Sequence, residues 1–176
     1  MIGSLIRRAL VLVVAAGGAT ALSTASAATA ASARPAADAA SQHIAYQPFT
    51  DTNGWGSQRW DGDIAGASDP WNQHVQSWSF LATGGGQLCV EAHLSNGFGW
   101  QNQRCGASEL FDVGAPYSGL DIDGLSWRTD IGWLCLDFQI VQDGSLFWSG
   151  PLCTGTERFA TEWPGGRITA VAAWYV

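Results

Sequence analysis

The feature that most constrains this chain is an internal pattern that occurs three times. Corresponding residues recur at nearly constant intervals. Trp55 and Trp100 are 45 residues apart, Cys89 and Cys135 are 46 apart, and Cys105 and Cys153 are 48 apart. Short apolar runs begin at Val75, Ile122 and Ile168, at intervals of 47 and 46 residues. Repeats of this length are typically single supersecondary units that cannot bury their apolar face alone. We therefore predict three units, 44–86, 87–130 and 131–176, that close on one another into one domain.

Each unit is predicted to consist of β-strands. Apolar and polar residues alternate in stretches such as 75–80 and 120–123, and Asn-Gly and Asp-Gly pairs mark turns between such stretches. The parity of Val75, Trp78 and Phe80 predicts a β-bulge in the first of these stretches. No apolar period of a helix follows the N-terminal segment. The fold class is therefore all-β with pseudo-threefold symmetry; the long last strand of each unit favours a β-prism-like arrangement, and a β-trefoil is the alternative.

The N-terminal segment reads as a secretory signal peptide. Arg7 and Arg8 precede an apolar run too short to span a membrane comfortably, and Ala25-Ser26-Ala27 fits a cleavage site between small residues. Residues 28–43 are small and polar without an apolar period, which predicts a disordered leader. We expect a secreted protein with a signal peptide at 1–27, a leader at 28–43, a β domain at 44–176, and no membrane span after cleavage.

The repeat also selects a pairing for the four cysteines. Exported proteins meet an oxidising environment, and four cysteines allow three pairings. Cys89 and Cys135 occupy one repeat position, and Cys105 and Cys153 occupy another, so the predicted disulfides are Cys89–Cys105 and Cys135–Cys153. The first unit has Ala45 and Trp60 at the matching places, where apolar packing is expected to replace the bridge. A metal site is disfavoured because these spacings contain no CxxC pair.

The charge balance argues against two classes of partner. Removing Arg7 and Arg8 with the signal peptide changes the formal net charge from −7 to −9, and the chain contains no lysine. Nucleic acids and anionic membranes both require a basic patch. We therefore expect neither as a partner, whereas the oligomeric state stays open.

The second unit resembles a known repeat family. The stretch Ala92-His93-Leu94-Ser95-Asn96-Gly97-Phe98-Gly99-Trp100-Gln101 is similar to the ChW repeat, the "hydrophobic W" repeat of clostridial and actinobacterial secreted proteins. The first unit resembles it through Gly54-Trp55, a following Asp-Gly turn and a closing VQSWSF strand, and the third unit departs most, with Phe147 in place of the glycine before Trp148. The resemblance covers about residues 44–176. It implies an extracellular binding or adhesion module for carbohydrate or cell-wall ligands, without catalytic residues.

A second resemblance competes with the first. Cys135-Leu136-Asp137, with Cys153 eighteen residues after Cys135, is similar to one unit of ricin-type β-trefoil lectins, and Gln58-Arg59-Trp60 matches the Gln-x-Trp signature of that family. The second unit has Gln103-Arg104-Cys105 at the matching place, and the third has no Gln-x-Trp. This resemblance implies a β-trefoil lectin.

Two sets of aromatic residues are candidate ligand-binding positions. Trp55, Trp100 and Trp148 stand at one repeat position beside turns that contain Asn53, Asn96 and Asp143, which suits sugar stacking with polar groups that orient the ligand. The alternative is that these tryptophans form a threefold core plug. The second set is Trp71, Tyr117 and Trp163, each directly beside a proline. These residues are expected either to form three equivalent sites or to pack within loops.

Catalytic and metal chemistry find little support in the sequence. Asp121 and Asp123 share a strand face and suggest a carboxylate pair for glycoside hydrolysis, although a solvated strand face explains them better. His93 is expected to be a hydrogen-bonded structural group. We predict no cofactor, no metal and no enzyme activity. The expected function is binding of an extracellular glycan or cell-surface component, and the alternative is a surface or adhesion protein that binds protein partners or itself.

Overall fold

The computed structural model describes residues 42–176. The predicted signal peptide and most of the predicted leader lie outside these residues. Within the described residues the chain is all-β, as the alternating pattern predicts. The first strand begins at His43, one residue before the predicted boundary, because His43 pairs with Thr83 in the adjacent strand. His43 therefore belongs to the domain and not to the leader.

Each third of the domain contributes five strands. The first third contains β1 (His43–Thr50), β2 (Gly54–Trp55), β3 (Arg59–Trp60), β4 (Ala65–Gly66) and β5 (Val75–Thr83). The second contains β6 (Leu88–Leu94), β7 (Gly99–Trp100), β8 (Arg104–Gly106), β9 (Phe111–Gly114) and β10 (Ile122–Thr129). The last contains β11 (Leu134–Gln142), β12 (Ser145–Trp148), β13 (Leu152–Thr154), β14 (Phe159–Glu162) and β15 (Arg167–Tyr175).

The strands form three antiparallel sheets with the same order of strands. In sheet 1, β1 lies between β5 and the interrupted return strand β2/β3; sheet 2 is built in the same way from β6, β10 and β7/β8, and sheet 3 from β11, β15 and β12/β13. A short strand from another third completes each sheet: β9 pairs with β5, β14 with β10, and β4 with β15. The three antiparallel sheets confirm the all-β fold class.

Strand register places corresponding residues of the three sheets at corresponding points. Across the return strands, Ala45 pairs with Trp60, Cys89 with Cys105, Cys135 with Cys153, Phe49 with Trp55, His93 with Trp100, and Gln139 with Trp148. The last strand of each third, β5, β10 or β15, contains one unpaired extra residue at the same place. These residues are Gln76, Asp123 and Thr169. The bulge predicted near Val75 is thus confirmed, and it is present in all three sheets.

Both predicted disulfides are formed. The Cα atoms of Cys89 and Cys105, and those of Cys135 and Cys153, are 4.0 Å apart. No free cysteine is present among the described residues. Two disulfides are consistent with an extracellular protein, because thiols in the cytosol are kept reduced. In the same part of the chain, no helix is long and apolar enough to cross a membrane.

One apolar core joins the inner faces of the three sheets. Alternate residues of the long strands point into it, and its largest fully buried members include Trp78, Phe80, Trp127 and Phe138. Trp127 contacts Phe159, with ring centroids 5.0 Å apart, and Phe138, with centroids 5.6 Å apart. Because these partners lie on β14 and β11, the indole of Trp127 ties sheet 2 to the last third of the chain.

Tyr46 connects the beginning of the domain to its end. Its side chain is fully buried; the hydroxyl donates to the carbonyl of Asp63 and accepts from the backbone N–H of Ala173, 3.0 Å away. Burial is the main cause that raises the pKa of Tyr46 above its ordinary value, since the phenolate would lose its hydration. The hydroxyl thus stabilises the place where the first and last thirds meet.

We expect Tyr46→Phe to lower the free energy of unfolding by about 1–3 kcal/mol, because the buried N–H of Ala173 and the carbonyl of Asp63 lose their hydrogen-bond partner. A raised pKa also has a consequence at alkaline pH. Below pH 10 the Tyr46 hydroxyl is protonated in both the folded and the unfolded chain, so its contribution to stability is fully present. Above pH 10 the hydroxyl ionises first in the unfolded chain, and this contribution is lost as the pH rises through the folded-state pKa. Urea unfolding at neutral pH, and again above pH 10, measures both effects. In the variant the alkaline loss of stability should be shallower; an unchanged alkaline slope would contradict the assignment, with Tyr117→Phe as the exposed control.

Candidate functional site

The outer face of sheet 2 carries a cluster of polar and aromatic side chains. Along β6 the core residues Val90, Ala92 and Leu94 alternate with Glu91 and His93, which therefore point away from the core. Trp100 lies opposite His93 on β7, and the two rings meet edge to face with centroids 5.1 Å apart. The indole and the imidazole thus form one wall of a site on this face.

One carboxylate holds His93 in place, and a second lies near its other ring nitrogen. Its Nδ1 lies 2.5 Å from Oδ1 of Asp123, the extra residue of the β10 bulge, which is only 5% exposed. Its Nε2 lies 3.6 Å from Oε2 of Glu162, a half-exposed side chain at the end of β14. Since β14 comes from the last third of the chain, the site exists only where two thirds of the domain meet. A fixed imidazole between two carboxylates is a preorganised hydrogen-bonding group.

Gly124 makes this approach possible. A Cβ atom at this position would lie 2.9 Å from Cβ of Glu162 and 3.0 Å from Cβ of His93. Either distance is shorter than ordinary van der Waals contact, so any side chain here would push β6 and β14 apart. The glycine in the middle of β10 therefore sets the spacing of the site.

Arg158 lies flat against the same face. Its Nε donates to Oγ of Ser126 at 2.6 Å, its guanidinium NH2 group donates to Oε2 of Glu91 at 2.7 Å, and its Cζ atom is 5.4 Å from the centre of the Trp100 ring. Because Arg158 is about half exposed, we expect its ion pair to contribute little stability. Its main effect is to restrict the orientation of the indole.

A cavity of about 250 Å³ opens beside this cluster. It is lined by Trp100, Ala160, Thr161 and Glu162. One wall is an indole ring, and the rim includes the half-exposed carboxylate of Glu162. Such a combination suits a ligand with an apolar face and hydroxyl groups at its edge.

The Asp123–His93 pair resembles the orienting pair of a catalytic triad. The group beyond Nε2, however, is the carboxylate of Glu162, whereas acyl transfer requires a hydroxyl or a thiol there. Within residues 42–176, no group of three or more His, Cys, Asp or Glu side chains is arranged to hold a metal ion.

The structure decides between the two interpretations of Trp55, Trp100 and Trp148. All three lie on outer sheet faces at equivalent register, and none belongs to the core. The core-plug alternative is therefore wrong, because its place is taken by Trp78 and Trp127 on the inner faces. Their surroundings differ, since Trp55 packs on Phe49 and Trp100 on His93. The neighbouring turn residues Asn53, Asn96 and Asp143 are all exposed.

The second aromatic set does not form three equivalent sites. Strand pairing aligns Gly66, Gly114 and Glu162, so Trp71, Tyr117 and Trp163 follow at different distances along the chain. Trp163 packs against Phe138 at the edge of the core, and Tyr117, although 86% exposed, contacts Phe49 with ring centroids 4.6 Å apart. Trp71 is 46% exposed in its loop. For Trp163, loop packing is the correct interpretation.

The sequence interpretation missed the histidine–aspartate pairs. Asp121 and Asp123 were expected to share one solvated face, but Asp121 binds His74 at 2.7 Å, whereas Asp123 is buried against His93. A third pair joins His43 to Asp61 at 2.5 Å. The bulge reverses the parity at Asp123, and the alternation of residues along the sequence therefore could not reveal the pairing.

Comparison of the chain with protein-family models, curated proteins and solved structures gave no significant match.

Proposed function

We propose that this chain is a secreted, repeat-built module that binds extracellular glycans without catalysis. The two disulfides support an oxidising environment, and the signal-like segment at 1–27 supports export. The similarity to ChW repeats in the sequence supports an extracellular or cell-wall ligand. The acidic, lysine-free composition argues for an uncharged ligand rather than a polyanion.

The observation that carries the proposal is the cavity beside Trp100. An indole wall offers a surface for the apolar face of a pyranose ring, and the carboxylate of Glu162 offers a hydrogen-bond acceptor for its hydroxyl groups. His93 and Arg158 are held by Asp123 and Glu91, so little conformational entropy would be lost on binding. An aromatic wall and prepositioned polar groups are together typical of sugar recognition.

The alternative function, adhesion to a protein or to a second copy, is favoured by a different observation. Strand β12 lies at the edge of sheet 3, and its residues Leu146, Phe147 and Trp148 are exposed one after another. Exposed apolar edge strands readily pair with other chains. Self-association measured by analytical ultracentrifugation, and its loss in Phe147→Lys, would support this alternative.

We expect Trp100→Ala and Glu162→Gln each to weaken glycan binding at least tenfold, a loss of about 1.4 kcal/mol or more in binding free energy. The first removes the stacking surface, and the second removes a charged acceptor while keeping its shape. Binding is measured on a glycan array and by retention on insoluble cell-wall polysaccharides. The matched controls are Trp71→Ala and Glu109→Gln, which change exposed residues outside the cavity.

The outcomes separate the two functions. If the folded wild-type protein retains no glycan, the glycan proposal is wrong and protein adhesion takes its place. If it binds but both cavity variants bind as well as the controls, the site lies elsewhere on the domain. Circular dichroism and thermal melting confirm that each variant is folded.

A further inference from the structure

Two adjoining cavities lie at the end of β6 and β10 that is far from Trp100, where the turn between β13 and β14 meets the residues before β11. A cavity of about 330 Å³ is bordered by Trp133, Thr156 and Glu157, and an adjoining cavity of about 140 Å³ is bordered by Arg128, Asp130 and the same Thr156. The larger cavity is within the size range of small-molecule sites, about 300–1,000 Å³. Trp133 is 60% exposed, more than Trp55, Trp60, Trp71 or Trp148.

The backbone holds Trp133 in this exposed position. Its carbonyl accepts a hydrogen bond from the N–H of Val176 at 2.9 Å, which anchors it to the end of the chain. A Cβ atom at Gly155 would lie 3.2 Å from the carbonyl oxygen of Gly132 and 4.0 Å from Cε2 of the indole, so the opposite turn packs closely under the ring. The backbone of Trp133 is thus anchored and a turn packs near its ring, while the indole stays 60% exposed although burial would stabilise it.

The facing wall is also preformed. Within its turn, Oγ1 of Thr154 donates to the carbonyl of Glu157 at 2.6 Å, and the N–H of Thr129 donates to the carbonyl of Gly155 at 2.8 Å. The carboxylate of Asp130 accepts from the N–H of Gln87. In the described part of the chain, Arg128 forms no ion pair, so its guanidinium is available to a ligand.

The two ends are joined along one sheet face. Arg128 lies opposite Cys89 in the sheet, and Trp100 lies opposite His93. His93 lies four positions after Cys89 on β6, so Arg128 and Trp100 are about 13 Å apart along the sheet at roughly 3.3 Å per residue. Trp133, directly before β11, borders the cavity that adjoins the Arg128 cavity. Between them lies the side chain of Arg158, which donates to Ser126 and Glu91 and lies beside the Trp100 ring.

We propose that a linear, uncharged oligosaccharide binds along this face, with one sugar on Trp100 and another on Trp133. This inference rests on the proposed glycan binding and specifies the ligand class. Donors such as Arg128 and Thr156 alternate with acceptors such as Asp130 and Glu157, which matches hydroxyl groups that both donate and accept. The carboxylates of Glu91, Asp130, Glu157 and Glu162 disfavour a polyanion, and a single terminal sugar would reach only one indole.

The test uses the full secreted chain with chito-oligosaccharides and cello-oligosaccharides from dimer to hexamer, measured by isothermal titration calorimetry. We expect affinity to rise at least tenfold from dimer to hexamer. Trp133→Ala should remove this gain while binding of the dimer through the Trp100 cavity persists. Trp71→Ala is the matched control, and thermal melting checks that the variants are folded.

Four results would overturn the inference. Binding that is independent of chain length, or a Trp133→Ala variant that binds hexamer like the wild type, would leave glycan binding intact but contradict the extended site. Preference for an acidic oligomer, polygalacturonate fragments being the probe, would contradict the uncharged ligand. If the wild-type protein binds no oligosaccharide, the proposed function fails together with the extended site.

Discussion

Trp127→Ala is expected to lower the free energy of unfolding by about 3–5 kcal/mol, the range observed for large aromatic residues removed from a core. The indole is fully buried, contacts Phe138 and Phe159, and donates from Nε1 to the carbonyl of Leu134 at 3.4 Å. Its removal leaves a cavity where sheet 2 meets the last third of the chain. Because small domains have a stability of about 5–15 kcal/mol, this is a large share of the total.

Chemical denaturation of the oxidised protein measures this loss. Trp71→Ala removes an indole of the same size from an exposed loop and should cost less than about 1 kcal/mol. A similar small loss in Trp127→Ala would show that the interface between sheet 2 and the last third does not limit stability. We also expect the Trp127 variant to bind glycan more weakly, since displacement of β14 would move Glu162.

The double substitution Ala45→Cys with Trp60→Cys is expected to form a third disulfide and to raise the free energy of unfolding by about 3 kcal/mol, as the chain-entropy model gives for a loop of about 15 residues. Ala45 and Trp60 are paired in sheet 1 at the register that Cys89 and Cys105 occupy in sheet 2. The backbone there should therefore accept the bridge without movement. The melting temperature should increase on the order of 10 °C.

Thiol titration and melting with and without reductant check this expectation. The single variant Trp60→Cys controls for the loss of the indole. A double variant that keeps two titratable thiols under oxidising conditions would contradict the equivalence of the two registers. Removal of a native bridge, in Cys89→Ser with Cys105→Ser, should cost about the same 3 kcal/mol.

The candidate site depends on the exchange of short strands between thirds. His93 and Trp100 come from the second third, whereas Glu162 and Arg158 come from the last. In sheet 1, Phe49 takes the place of His93 and Gly114 that of Glu162. In sheet 3, Gln139 takes the place of His93 and Gly66 that of Glu162. The same backbone thus offers a polar cavity in sheet 2 and an aromatic cluster around Phe49 in sheet 1. We therefore expect one principal binding face rather than three identical sites.

Several site predictions failed because they treated position in the repeat as position in space. Trp163 is half buried and Tyr117 is mostly exposed, although both stand close to a proline before the last strand. Trp133 was not singled out, because the residues at its repeat position in the other thirds are His43 and Gln87. The only signal that could have found it was an aromatic residue directly after the turn-forming Gly132.

The sequence by itself determined the strands, the turns and the disulfide pairs. These depend on local chemistry and on spacing: alternation along a strand, the positive φ of residues such as Asn96 and Gly97, and cysteines at repeated positions. Only the tertiary structure decided which strand of one third completes the sheet of another. It also decided that a bulge turns Asp123 toward His93, and that Gly124 admits Glu162 beside them. Contacts between residues that are tens of positions apart arise from packing of the three sheets around one core, and local pattern carries no record of them.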